Sequence, residues 1–322
     1  MFGIGQKRLD TALADYLGAK RDKYSAMCLR LFLFGSFERV YKPGCQFDYM
    51  LIFKGAQGVG KSTFFRKMCQ DVSWYQDDLN DISNRSKAFD MTNGKWIVEM
   101  GELTALRKAE IDSIKGYITT KNETHRVPYE TTAKDFPRQF VLLGTTNSPR
   151  FLVDKTGDRR FLIVPIAQNK DEIKRLKKSV FSENAEEELK QILAEAFYEY
   201  KNGKKILQVP AEFEEETLQQ QMDSREDDPI EGIIQGYLNK VDYTCTLQIW
   251  IEALGHDRKD KMTRKDISNI TQILAMQDGW RLYSGNTTHR KRLTSEVFGD
   301  YGSQLCYENY KKIQAKEDEE LN

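Results

Sequence analysis

One stretch constrains this chain more than any other: YMLIFKGAQGVGKSTFFRKM, residues 49–68. Within it, GAQGVGKS at residues 55–62 matches the whole phosphate-binding loop pattern. An apolar run precedes it and a helix-forming run follows. That context separates a working loop from a chance glycine-rich turn. The glycines let the backbone curl so that its N–H groups face phosphate, and the following helix points its positive end at the same place. The expected nucleotide-binding set is Gly55, Gln57, Gly58, Val59, Gly60, Lys61, Ser62 and Thr63. Lys61 would reach the β- and γ-phosphates, and the Ser62 hydroxyl would sit on Mg²⁺. ATP and Mg²⁺ are therefore the expected cofactors.

Composition narrows what such a loop can drive. The chain has 322 residues, room for two or three domains, with 39% apolar and 30% charged residues. There are 49 basic and 49 acidic residues, so no global positive field attracts nucleic acid. Binding to DNA would need a local patch, or several subunits presenting basic loops together. Cys28, Cys45, Cys69, Cys245 and Cys306 show no paired spacing, which fits reduced thiols and excludes a CxxC zinc site. The three histidines are scattered. Neither a leader-type apolar segment nor an 18-residue apolar run is present, so a cytoplasmic protein without a membrane span is expected.

Along the chain, residues 1–47 read as helical and Pro43-Gly44 breaks the pattern. Residues 48–168 hold the apolar runs YMLIF, WIVEM, FVLLGTTN and RFLIVPI, with helical stretches between some of them. Strands alternating with helices imply an α/β fold with a parallel core. Residues 169–228 read as a charged helical connector. Residues 229–300 show helices and then a short hairpin formed by GWRLYSG and THRKRL, a winged-helix-like module. Residues 301–322 read as a polar tail.

The loop needs acidic partners. KWIVEMGEL, residues 95–103, carries Glu99 and Glu102 at the carboxyl end of a strand, where open α/β sheets place their ligand chemistry. One carboxylate would hold Mg²⁺ through water, and the other would polarise the attacking water. Solvated surface acids are the plainer alternative. Asn147 ends the strand in RQFVLLGTTNSP and suits a sensor of the γ-phosphate, or simply a turn before Ser-Pro. Arg159 and Arg160 in TGDRRFLIVPI suit a finger reaching a neighbouring subunit's phosphate, worth ~10³–10⁵ in rate, or a surface pair bound to nearby acids.

These segments together resemble the virulence-associated protein E family, which is related to superfamily III helicases and phage or plasmid primase-helicases within the AAA+ class. The likeness runs from about Arg8 to Pro165, and more weakly through the C-terminal module, and is most specific in GELTALRKAE and DFPRQFVLLGTTN. It implies a ring-forming, hexameric homo-oligomeric ATPase of a phage, prophage or chromosomal island, acting in that element's replication. Carried onto this chain, it implies Walker A residues Gly55, Gly60, Lys61, Ser62 and Thr63. It implies Walker B residues Glu99 and Glu102, with Glu102 the catalytic acid, Asn147 as sensor, and Arg159 or Arg160 as finger. The chain departs from the usual adjacent acid pair, since Gly101 precedes Glu102. It also starts without the primase domain that some relatives carry.

Residues 119–138 read as a β-hairpin, and relatives grip DNA with a hairpin at this position. Lys121, His125, Arg126 and Lys134 are the candidate phosphate contacts, and Tyr129 a stacking residue. Arg290, Lys291 and Arg292 form a second basic patch on the expected wing. Trp250 and Trp280 suit that module's core. The partners expected are copies of the chain, single-stranded or forked DNA, and replication proteins of host or phage. Two functions compete: a DNA helicase or translocase, and a nucleotide-dependent assembly switch that does not unwind. A small-molecule kinase is weakened by the arginines and the hairpin, which such an enzyme does not require.

Overall fold

The computed structural model describes residues 7–79, 81–103, 108–126, 132–152, 159–203, 205–225 and 229–320. The chain divides into two compact units, Met1–Glu226 and Asp227–Asn322.

The first unit is built on a five-stranded sheet. Its strands are β1 (Met50–Lys54), β2 (Tyr75–Gln76), β3 (Ile97–Met100), β6 (Val141–Thr146) and β7 (Phe161–Pro165), in the order β2-β3-β6-β1-β7. Every pairing is parallel. Between β3 and β6 the chain forms an antiparallel hairpin of β4 (Asn122–His125) and β5 (Lys134–Pro137). Alternate residues of a strand face opposite ways, and here both faces are covered. Leu51 and Phe53 of β1 join one apolar cluster, while Met50 and Ile52 join another. A parallel sheet buried on both sides needs near-continuous apolar strands, which is why MLIFK and VLLGTT lack an alternating pattern.

Helices α1 (Ala12–Leu17), α2 (Lys23–Tyr41), α3 (Lys61–Met68), α4 (Arg85–Thr92), α5 (Lys108–Ile118), α6 (Lys170–Lys174), α7 (Ala185–Lys201) and α8 (Glu214–Met222) complete this unit. The N-terminal segment and the charged connector are not separate pieces. Leu9 to Phe37 and Ala185 to Ala196 contribute to one buried cluster with β1 and α3. Asp22 starts α2 by accepting from the Ser25 N–H at 2.9 Å. Phe37 meets Phe197 of α7 edge-on at 5.3 Å. Each such buried aromatic contributes about 1.5–3 kcal/mol by leaving water. The connector's surface charge hid this role, because only one stripe of α7 is apolar.

The second unit contains α9 (Pro229–Leu238), β8 (Tyr243–Thr244), α10 (Thr246–Gln248) running into a π-turn, α11 (Arg264–Met276), β9 (Trp280–Leu282), β10 (Arg290–Ser295), β11 (Gly299–Leu305), β12 (Tyr307–Asn309) and α12 (Tyr310–Glu320). Strands β8, β12 and β9 form an antiparallel sheet in that order, and β10 pairs with β11. Two expectations need correction. The hairpin joins residues 290–295 to 299–305, not to the GWRLYSG run, which belongs to the three-stranded sheet. Residues 301–309 are also no polar tail, since Tyr301, Cys306 and Tyr307 are buried in the unit's core beside Trp250.

No helix among the described residues is long and apolar enough to cross a membrane.

Candidate phosphate-loop site

The loop joins the carboxyl end of β1 to α3. Gly55 sits so close to the next strand that an added Cβ would lie 2.5 Å from Ile166 Cγ1 and 2.7 Å from the Ala167 carbonyl oxygen. Gly60 has φ +96°, and a Cβ there would lie 2.2 Å from Val180 Cγ2. Only glycine fits either place. Gly60 is also the N-cap of α3 and offers no side chain to its first-turn N–H groups. Those donors are left for an anion.

A cleft of about 270 Å³ opens over the loop, lined by Gln57, Gly58, Gly60, Lys61, Ser62, Thr63, Glu102, Thr145, Thr146, Asn147 and Phe181. Eight of the residues expected from the sequence thus share one cavity with three residues that the sequence did not single out. Lys61 Nζ donates to the carbonyls of Gly55 at 2.7 Å, Thr146 at 3.1 Å and Ala56 at 3.3 Å. Its burial lowers its pKa, and the charge of Glu99 partly opposes that. The ammonium is held at the loop by carbonyl dipoles that a phosphate oxygen would outcompete.

Glu99, on β3, is 3% exposed. Ser62 Oγ and Thr145 Oγ1 both donate to its Oε1 at 2.8 Å, and the Tyr75 hydroxyl donates to Oε2. Burial, then the neighbouring Glu99, pushes the Tyr75 phenol well above its ordinary pKa, so it stays a donor. Glu102 lies beyond β3, exposed, with φ +50°. That left-handed backbone turns its side chain into the cleft's lining, whereas Glu99 sits under it. The two acids therefore have different surroundings: one buried against the Ser62 hydroxyl, one facing solvent. Ser62, Glu99 and Thr145 offer the hard oxygen donors that a magnesium ion takes, with room in the cleft for waters.

Asn147 follows β6 and lines the same cleft. Arg159 and Arg160 do not. They precede β7 and line a separate cavity with Gln46, Asp48 and Glu214. The loop lies at the other end of β7, roughly 13 Å away at the usual strand rise. Among the described residues, no arginine lines the loop cleft.

On the β4–β5 hairpin, Lys121, Arg126 and Lys134 are exposed. His125 is less open than a tip residue would be: its ring stacks on Phe89 at 4.3 Å, and Nε2 is 3.7 Å from Asp90. Tyr129 falls outside the described residues. In the second unit Arg290 is exposed, Lys291 Nζ stands 3.1 Å above the Tyr243 ring, and Arg292 pairs with Asp300.

The sequence missed Tyr75, Thr145 and Phe181. Tyr75 belongs to a two-residue edge strand with no periodicity to reveal it. Thr145 precedes Asn147 in the quoted strand, where its polar end was a signal. Phe181 lies in a turn after α6, distant in sequence from every motif.

A model of the virulence-associated protein E-like domain matches residues 2–227. No curated protein is matched by the sequence. Among solved structures, the apo structure of the NrS-1 C-terminal region (305–718) is similar with a TM-score of 0.52 at 16% identity, over 93% of this chain and 75% of that chain. The A-form apo structure of the NrS-1 C-terminal region is similar with a TM-score of 0.52 at 15% identity, over 93% and 76%. At these identities the likeness is one of fold. The family match coincides with the first compact unit, and the chain belongs to the virulence-associated protein E-like domain family.

Proposed function

We propose that this protein is an ATP-dependent DNA translocase or helicase that acts in replication of a phage, prophage or chromosomal island. Nucleotide would be hydrolysed at the subunit interfaces of a homo-oligomeric ring. The observation that carries the reading is the Ser62–Glu99 hydrogen bond of 2.8 Å beneath a cleft that Lys61, Glu102 and Asn147 also line. A phosphate loop, a buried carboxylate on its serine, an exposed carboxylate and a polar amide make up the parts of a phosphoryl-transfer site.

Each residue then has a task. Backbone N–H groups at the start of α3 and Lys61 bind and orient the phosphates. Magnesium bound at Ser62 and Glu99 would neutralise phosphate charge. Glu102 accepts the proton of the attacking water, and Asn147 orients that water. The parallel sheet supports an AAA+ reading, because the loop, both glutamates and Asn147 all lie at the carboxyl ends of β1, β3 and β6. The place of Arg159 and Arg160, away from their own cleft, supports a finger that acts on a neighbour. The β4–β5 hairpin, with Lys121, Arg126 and Lys134, is the proposed DNA grip. The helices and three-stranded sheet of the second unit, with β10–β11 inserted between β9 and β12, support a winged-helix reading. Arg290 is its best DNA contact, Lys291 and Arg292 being engaged on Tyr243 and Asp300.

A second reading, an assembly switch without unwinding, has one observation in its favour. An apolar cavity of about 720 Å³, lined by Phe37, Tyr41, Trp74, Trp96 and Phe197, lies at the amino-terminal edge of the sheet. Strand separation on a forked duplex distinguishes the two. Unwinding that needs ATP and fails in Lys61→Ala supports the helicase; brisk hydrolysis with no separated strand leaves the switch.

A further inference from the structure

The phosphate loop has a second cavity against its other side. It measures about 320 Å³, and its walls include Gly58, Val59, Ile173, Leu176, Ser179 and Phe181. Gly58 and Phe181 also line the cleft over the loop, so the two spaces adjoin. Between them the chain makes an unusual pair. Val180 is 1% exposed and sits where a Cβ on Gly60 would be. The next residue, Phe181, is 63% exposed. Its N–H donates to Ser179 Oγ at 3.2 Å, and Ser182 Oγ donates to the Ser179 carbonyl at 2.8 Å. The turn is thus pinned at Val180 and displays a phenyl ring over the boundary of both spaces. An aromatic side chain left in water gains nothing for folding. Beside a phosphate site it supplies a face for a base.

We infer that this second cavity takes the nucleoside half of the nucleotide, with the base stacked on Phe181, and that the base is a purine. The inference rests on the loop binding a nucleotide, as proposed above. A two-ring base covers more of the phenyl face than a one-ring base, and Val59, Ile173 and Leu176 supply apolar surface for its other side. Lys174, Lys177 and Lys178 also line the cavity, and each stands beside a carboxylate. Lys174 lies 3.4 Å from Asp171, Lys177 lies 3.9 Å from Asp15, and Lys178 is bonded to Glu188. Recognition here is by stacking more than by the base's polar edge, so ATP and GTP bind alike while CTP and UTP bind more weakly.

Calorimetric titration of ATP, CTP and inorganic tripolyphosphate into the full chain tests this. Stacking on one aromatic is worth ~1–3 kcal/mol, or roughly 5- to 150-fold in affinity. Phe181→Ala is expected to lose that factor for ATP and to bind tripolyphosphate as the wild type does. Phe181→Trp is expected to keep ATP affinity and to show fluorescence quenched by ATP but not by tripolyphosphate. Wild-type affinity of Phe181→Ala for ATP overturns the subsite, and equal affinity of the wild type for ATP and CTP overturns the purine. Lys61→Ala separates this from the underlying reading: it should lose ATP and tripolyphosphate together, and if it keeps both, the loop itself is not a phosphate site.

Discussion

Glu99 and Glu102 stand three residues apart yet answer to different physics. Glu99 is buried and tolerates its charge because three hydroxyls donate to it. Removing one of them leaves an under-bonded buried carboxylate, so Tyr75→Phe should destabilise the fold by about 1–3 kcal/mol in urea titration. Glu102 holds a left-handed backbone, which costs a non-glycine residue roughly 1 kcal/mol. Glu102→Gly should therefore raise the melting temperature while reducing ATP hydrolysis by ~10² or more, and Glu102→Gln should reduce hydrolysis without moving stability. A Glu102→Gln protein with normal turnover would remove Glu102 from the proposed chemistry. The pair was legible in the sequence as acids at a strand end. Their division was not, because the φ of Glu102 and the Tyr75 contact arise from the turn after β3 and from the pairing of β2 with β3.

At the scale of elements, the apolar runs marked four of the five parallel strands, since buried strands leave a compositional trace. They did not mark β2, which is two residues long, nor the partner of β10, since β11 (GDYGSQL) carries little apolar sequence. The union of α2 with α7 was equally hidden, and it contains a titratable lock. Glu38 of α2 accepts from the Tyr200 hydroxyl of α7 at 2.5 Å and pairs with Lys42 at 3.1 Å and with Lys205. Burial alone would raise its pKa, but the Lys205, Tyr200 and Lys42 hydrogen bonds outweigh burial and hold it at about 2 against an ordinary 4.5. A carboxylate depressed on folding stabilises the protein fully above its unfolded value. That stability is lost as pH falls from about 4.5 towards 2. Glu38→Gln should flatten this part of the acid branch, by about 1–2 kcal/mol after allowing for screening of the exposed lysines. An unchanged acid branch would place the sensitivity elsewhere.

At the scale of the molecule, a neutral chain could hold DNA only through local charge. Lys121, Arg126 and Lys134 are exposed cations of the hairpin, and a ring would multiply them. Lys121→Ala with Arg126→Ala should weaken single-strand binding and flatten its salt dependence, with the melting temperature unchanged. Equal affinity of that variant and the wild type would take the hairpin out of the account. The coupling of loop to DNA is the central claim, and the steady-state ATP hydrolysis rate with and without single-stranded DNA tests it most directly. Strong stimulation by DNA, absent in Lys61→Ala, is the result the account predicts. A clear basal rate that is indifferent to DNA would contradict it.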